Sequence, residues 1–263
     1  MPITAWDCPE CHRAAPLDHY ESGGACSLAV HPDYVAAVLA DSAKRADKAW
    51  PTVTMGLGCV RAAAIQQDED VSINPLDVNA MLTGSAWHAV MDRGAPDNEV
   101  EVSGQLGGMV VTGTIDRVRK LADGRVIIED WKHGNCFSRK YATAAKPEHV
   151  VQVSLYAELY AQMYDIKPSA GVVWYHYTSS PALIPRAVEL WNVERCLAHH
   201  PYDADWTVGQ LLRLADDYDN RCVPAKWQDL PLVGATIKFG NKTGCEYCSV
   251  RAICMTAATG APF

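Results

Sequence analysis

The alternation of apolar and polar positions divides the chain into helical stretches, a strand-rich middle and loop-rich ends. Residues 35–50 (VAAVLADSAKRADKAW) carry apolar residues at helical spacing and stop before Pro51. Residues 75–94 (PLDVNAMLTGSAWHAVMDRG) do the same up to Gly94, predicting one helix or two short ones meeting near Gly84. Three strand-like runs follow, EVEVSGQ, GMVVTGTIDRVRKL and RVIIEDWK, the last two joined by the tight-turn sequence Ala122-Asp123-Gly124. Their order predicts an antiparallel meander. Residues 146–164 (KPEHVVQVSLYAELYAQMY) return to three-and-four spacing and predict a helix ending before Asp165-Ile166-Lys167-Pro168. Residues 170–177 (AGVVWYHY) and 183–190 predict two further strands, and a polar, acidic helix is expected around residues 206–220. This order predicts an α/β or α+β fold, a mixed central sheet flanked by helices. The opening segment, rich in Cys, His, Pro and Gly and without a clean period, reads as a small metal-pinned module. The expected division is residues 1–50 for that module and its helix and 51–263 for the main domain, with a cysteine-bearing tail.

With 263 residues and 49% hydrophobic content the chain can bury a sizeable core. It contains no run of about 18 apolar residues, and MPITAWDCPECHR lacks the basic flank and apolar stretch of a signal peptide. A cytoplasmic location without membrane association is therefore expected. In that compartment thiols stay reduced, so the ten cysteines are read as metal ligands where they cluster rather than as disulfides. A net charge of -8 excludes a generally basic nucleic-acid coat, though not a local groove neutralised by bound cations. No GxxxxGK[ST] loop occurs, so any unwinding of a duplex would come from a partner.

The stretch VIIEDWKHG (126–134) begins as a buried strand and ends in charges. Strand alternation puts Asp130 and Lys132 on one face and Glu129 and Trp131 on the other. The preceding strand ends in Gly113-Thr114-Ile115-Asp116, which brings a second carboxylate beside Asp130 across the sheet. Two carboxylates and a lysine at a sheet edge suit a hard cation such as Mg²⁺ or Mn²⁺ with a cationic helper. Taken alone, an Asp-x-Lys pair is commonly an exposed ion pair worth about 0–1 kcal/mol. Upstream, Gly84-Ser85-Ala86-Trp87-His88 adds a helical histidine, and Gln152 and Tyr156, four apart, share one helical face.

The ordered set GxxxH, GxxD, DxK and QxxxY resembles the PD-(D/E)XK nuclease superfamily, in its RecB-like exonuclease branch, over about residues 55–256. The resemblance implies that His88, Asp116 and Asp130 bind a divalent metal, with the backbone carbonyl of Trp131 as a further ligand. It implies that Lys132 positions or activates the attacking water, and that Gln152 and Tyr156 support the site and the DNA. Such chemistry fits phosphodiester hydrolysis, which needs an activated water and neutralisation of charge on the phosphate. Glu129 competes with Asp130 as the acid, but alternation turns it away from Lys132. His133 is read as a bystander, and Trp87, Trp131 and Tyr156 either stack on bases or fill the core.

Cys245, Cys248 and Cys254 give C-x2-C-x5-C, a thiolate trio that needs a fourth ligand and that spacing alone assigns equally to zinc or an iron-sulfur cluster. The iron-sulfur subgroup of the RecB-like nucleases, including the CRISPR-associated Cas-four type, has one cysteine upstream of GxxxH and three after QxxxY. By that resemblance Cys59 joins Cys245, Cys248 and Cys254 around a 4Fe-4S cluster, with Cys222 as the rival fourth ligand. The family often has Cys-Pro-Arg where this chain has Cys59-Val60-Arg61. Near the N-terminus, Cys8-Pro9-Glu10-Cys11 followed by Cys26 and His31 resembles a zinc knuckle or ribbon, with His12 and His19 competing with His31. Cys136 and Cys196 are expected to be buried free thiols.

The expected function is a Mg²⁺- or Mn²⁺-dependent DNA exonuclease acting on single strands or ends, in recombination, repair, phage DNA metabolism or CRISPR adaptation. Its expected partners are DNA and a helicase, recombinase or CRISPR integrase. The alternative is a non-catalytic DNA-binding scaffold held by zinc and iron-sulfur sites, which would have no need of the complete acid-lysine set. A third reading makes both cysteine groups zinc sites.

Overall fold

A computed structural model describes residues 3–8, 10–20, 26, 32–46, 51–69, 71–73, 79–92, 97–134, 143–177, 183–220, 226–235, 238–239, 242–243, 245, 248, 251 and 253–255. The chain opens with β1 (Ile3–Asp7), β2 (Ala14–Ala15), α1 (Pro32–Ala46), α2 (Val60–Asp68) and β3 (Val71–Ile73). It continues through α3 (Asn79–Asp92), β4 (Asn98–Leu106), β5 (Met109–Lys120), β6 (Val126–Gly134) and α4 (Pro147–Tyr164). The last part holds β7 (Ala170–Tyr177), β8 (Leu183–Val188), α5 (Val193–Ala198), α6 (Val208–Asp219) and the short β9 (Lys238–Phe239) and β10 (Lys242–Thr243).

The main sheet has the order β4-β5-β6-β7-β8. As the turn chemistry predicted, β4, β5 and β6 form an antiparallel meander, with Gly124 at φ 86 in the tight turn. Helix α4 then crosses over to lay β7 parallel to β6, and β8 returns antiparallel, so the sheet is mixed. Asp130 stands level with Val173 and Lys132 with Tyr175, while His133 stands level with His176. Helix α4 packs on the face of Val173: Val153 lies over Gly171, where an added Cβ would sit 2.3 Å from Val153 Cγ1. Helix α3 lies against the other face, its Trp87 ring stacked on His176 at 3.9 Å. It runs unbroken through Gly84, so the second of the two possibilities left open there does not occur.

Two hydrophobic clusters hold these elements. One joins the sheet to α4 through Ile115, Ile128, Leu155, Leu159 and Val173, all fully buried. The other gathers Ile3, Trp6 and Tyr20 with Val60, Ala64 and Ile65 of α2 and with Leu230 and Val233, so residues from both sides of position 50 share it. Each fully buried side chain of this size contributes about 1.5–3 kcal/mol. Helix α6, expected to be polar and acidic, turns out to link the clusters, giving Leu211, Ala215 and Tyr218 to one and Val208 and Leu212 to the other. Its start is fixed by a capping box, Thr207 and Gln210 satisfying each other's backbone N–H groups at 3.1 and 2.9 Å. Among the described residues no helix is long and apolar enough to cross a membrane.

Candidate active site and cysteine centres

Strands β5 and β6 pair as far as Arg117↔Glu129. One step beyond, Asp116 comes level with Asp130, and there its carboxylate replaces the ladder: Trp131 N–H donates to Asp116 Oδ2 at 2.6 Å. Asp130 and Lys132 point the same way along β6, as alternation requires, with Nζ 3.0 Å from Asp130 Oδ1 and 2.9 Å from Oδ2. Asp130 is buried, its carboxylate paired with the Lys132 ammonium. From α3, His88 Nδ1 approaches Asp116 Oδ1 at 3.5 Å. From α4, Gln152 Nε2 donates to the Tyr156 hydroxyl at 3.0 Å, both side chains buried beside the acids. The structure thus brings together His88, Asp116, Asp130, Lys132, Gln152 and Tyr156 from α3, β5, β6 and α4.

The electrostatics divide these groups into roles. Burial works against the Lys132 charge, but Asp130 and Asp116 outweigh it and hold the amine well above the usual lysine range. Lys132 is therefore an ammonium. Burial and then Lys132 push His88 down, so its imidazole stays neutral and keeps a lone pair to offer. Burial and Asp130 raise Tyr156, which remains a phenol. A neutral imidazole and two carboxylates form a mixed nitrogen and hard-oxygen donor set of the kind Mg²⁺ and especially Mn²⁺ accept.

Glu129, the rival acid, is engaged on the opposite face. Arg119 Nε lies 2.9 Å from Oε1 and Arg117 Nε 3.6 Å from Oε2, and the Trp174 indole donates to Oε1 at 3.2 Å. Of the aromatics considered for base stacking, Trp131 and Tyr156 are buried core residues, Trp131 stacked on Trp174 at 5.7 Å. Trp87 is half-buried on His176, whose Nδ1 is 3.0 Å from His133 Nδ1, so His133 is paired within the protein.

Sequence reasoning passed over His149. It lies on α4 at i, i+3 and i+7 with Gln152 and Tyr156, a spacing that could have revealed it. Lys146 N–H donates to the Tyr175 hydroxyl at 2.9 Å, and that hydroxyl is hydrogen-bonded to His149 Nδ1 at 2.7 Å. Burial, then Lys132 and Lys146, push His149 down to about 2, fixing it as neutral.

Cys8, Cys11, His19 and Cys26 place their donor atoms within 4.8 Å of one another, a group that could hold a metal ion. The histidine that reaches the three cysteines is His19, one of the competitors; His31, expected in that place, lies outside the described residues. The reason is local: a 3-10 turn over Leu17–Tyr20 directs His19 back to Cys11, with Nε2 3.7 Å from Sγ, while Tyr20 is buried beneath. His12, the other competitor, has a backbone task at φ 51, where its N–H closes the turn on Cys8 O at 2.9 Å. Burial raises the Cys8 thiol, but the Tyr20 hydroxyl and the backbone N–H groups of Cys11 and Glu10 overcome it and bring the thiol down to about 5.

At the other end, Cys59 precedes α2, and a methyl at Gly234 would lie 3.1 Å from Cys245 Sγ and 3.7 Å from Cys59 Cβ. Burial raises the Cys245 thiol, and Cys59 and Cys254 add to the rise, so these three lie within electrostatic reach of one another. Cys248 follows one turn after Cys245, its N–H donating to Cys245 O at 3.3 Å. Arg61 is anchored nearby by Leu230 O at 2.9 Å and Gln228 O at 3.1 Å; burial raises the Cys254 thiol, and Arg61 partly offsets that rise. Cys222, the rival ligand, and Cys136 lie outside the described residues. Cys196 is a fully buried thiol raised to about 11 by burial, an inert core residue.

The sequence profile of the PD-(D/E)XK nuclease superfamily matches residues 60–255. No curated protein matches the chain. Among solved structures, that of SSO0001 is similar with 15% identity and a TM-score of 0.47, covering 83% of this chain and 93% of that one.

Proposed function

The chain belongs to the PD-(D/E)XK nuclease superfamily, and from that premise we propose that it is a metal-dependent DNA exonuclease acting on single strands or DNA ends. The observation that carries the reading is the convergence of His88, Asp116, Asp130 and Lys132 from three separate elements, with Lys132 kept as an ammonium. His88, Asp116, Asp130 and the Trp131 carbonyl would hold Mg²⁺ or Mn²⁺. Such an ion supplies Lewis-acid charge at the phosphate and makes a water more acidic. The side chains do the rest. Lys132, already protonated, donates hydrogen bonds and positive charge where negative charge grows on the phosphate oxygens. It orients the attacking water rather than removing its proton. Asp116 is fixed by the Trp131 N–H and Asp130 by Lys132, so neither carboxylate has to be organised during the reaction. Gln152 and Tyr156 brace the α4 side of the site as neutral groups.

Cys59, Cys245, Cys248 and Cys254 are read as ligands of a 4Fe-4S cluster, supported by the approach of Cys59 to the C-terminal cysteines. Zinc is read into the N-terminal group. A helicase, recombinase or CRISPR integrase supplying ends or single strands would complete the pathway, in repair, recombination, phage DNA metabolism or CRISPR adaptation, in the cytoplasm.

The test is degradation of end-labelled single-stranded DNA with Mn²⁺ or Mg²⁺, abolished by EDTA. Asp130→Asn and Lys132→Ala are expected to lower the rate by at least about 100-fold, the scale of losing one preorganised electrostatic group. Glu129→Gln is expected to keep cleavage while lowering the melting temperature, because it uncouples the buried carboxylate from Arg117 and Arg119. Full activity in Asp130→Asn would overturn the site assignment.

A further inference from the structure

We infer that Cys8, Cys11, His19 and Cys26 bind one zinc ion tetrahedrally, and that this ion fastens the N-terminal segment to the core shared by α2, α6 and the segment around Leu230. The proposal sharpens the zinc reading above to a ligand set and a role, and it uses no residue of the nuclease site.

The spacing favours a single small ion. Zinc–sulfur and zinc–nitrogen bonds of about 2.3 and 2.0 Å at tetrahedral angles put neighbouring donors about 3.5–3.8 Å apart. Cys11 Sγ and His19 Nε2 stand 3.7 Å apart, and all four donors lie within 4.8 Å. Three thiolates and an imidazole are a soft set suited to zinc and poorly suited to Mg²⁺ or Ca²⁺. A cubane cluster calls for four thiolates, and this group has three. All three cysteines are free thiols.

The chain builds the site from two turns and Cys26. Cys8 and Cys11 flank a turn closed by His12 N–H to Cys8 O and by Cys8 N–H to Arg13 O at 3.1 Å. Pairing of Trp6 with Ala15 sends the chain back, and the 3-10 turn at Leu17–Tyr20 delivers His19. Cys26 arrives from further along.

The role follows from the short strand pairing of this segment and from where the ion would sit. Strand β1 pairs with β2 over two residue pairs and with β3 over three. Strand pairs that short are marginal without further packing or a metal. Yet Cys8 is itself a core residue, in the same cluster as Ile65, Leu211 and Trp227, and the Trp6 indole donates to Leu17 O at 3.0 Å. An ion at Cys8 therefore ties the outer turns directly to the core.

The test is metal analysis of the full chain, comparing wild type with Cys11→Ser, His19→Ala, His19→Cys and His31→Ala, together with cobalt replacement. Wild type is expected to carry one zinc per chain more than Cys11→Ser, whatever the C-terminal cysteines bind. His31→Ala should match wild type, and His19→Ala should bind at least about tenfold more weakly. Should the losses reflect misfolding, His19→Cys decides: it should retain the ion, with a cobalt spectrum richer in thiolate charge transfer. Limited proteolysis of zinc-stripped protein should cut first within the N-terminal segment. Equal zinc in wild type and Cys11→Ser, or loss in His31→Ala with retention in His19→Ala, would overturn the ligand set. An unchanged proteolytic pattern would overturn the anchoring role. Because these readouts do not involve cleavage of DNA, a failure here and a failure of the nuclease reading are separable.

Discussion

At Gly113 a hydrogen atom stands where any other residue would place a Cβ only 2.6 Å from Tyr156 Cε1. The tyrosine cannot easily give way, since its ring is buried and its hydroxyl is held by Gln152. The glycine of the Gly113-Thr114-Ile115-Asp116 sequence is thus a packing requirement that lets α4 approach β5 beside Asp116. Gly113→Ala is expected to cost about 1–3 kcal/mol in chemical denaturation, the usual penalty for overpacking. It should also reduce DNA cleavage by displacing Tyr156. An equal stability to wild type would show that the ring has room to move. Glu129 and Asp130 part company at the same scale. One step along a strand reverses the face, and the structure shows the first acid spent on two arginines and the second beside the lysine.

At the scale of elements, α3 carries His88 on a helix that tolerates a glycine in its interior. No described atom lies within 4 Å of a Cβ built at Gly84, so nothing in the described protein explains the absence of a side chain. Gly84→Ala should stabilise the chain by about 0.5–1 kcal/mol, because glycine loses more backbone freedom than alanine on entering a helix. Thermal melting would detect this, and a destabilised variant would mean that α3 is packed more tightly there than the structure shows. Helix α4 does two jobs at once. Its crossover makes β6 and β7 parallel, and its first turns present His149, Gln152 and Tyr156 to the acid-lysine pair.

At the scale of the whole molecule, the buried neutral histidine links stability to pH. His149 is held down to about 2, whereas an unfolded histidine titrates near about 6.5. Between these values the unfolded chain binds a proton that the folded chain refuses, so stability is full above about 6.5 and declines as pH falls below it. Denaturation between about pH 5 and 6.5, where carboxylates remain largely ionised, should show this slope. His149→Gln should reduce it, leaving the smaller part due to His88 and His200, and a slope unchanged in that variant would place its origin in other groups.

Much of the fold and site could be read in the chain itself. The meander, the α4 helix and the flanking strands follow from hydrophobic period and turn residues, which are local properties. The face shared by Asp130 and Lys132 follows from strand alternation alone, and the four-residue spacing of Gln152 and Tyr156 from helical geometry. Less legible were α2, with little amphipathic contrast, and the burial of α6, whose apolar stripe serves two clusters at once. His149 was missed because its significance depends on Tyr175, a residue 26 positions away. The approach of His19 to Cys11 is likewise set by the 3-10 turn above buried Tyr20, which spacing does not reveal. Sequence by itself determined which local elements form and which side chains share a face, because backbone periodicity fixes both. Only the tertiary structure decided which of them meet across the chain, because Asp116 reaching the Trp131 N–H, His88 reaching Asp116 and Cys59 nearing Cys245 depend on long-range packing that no local pattern encodes.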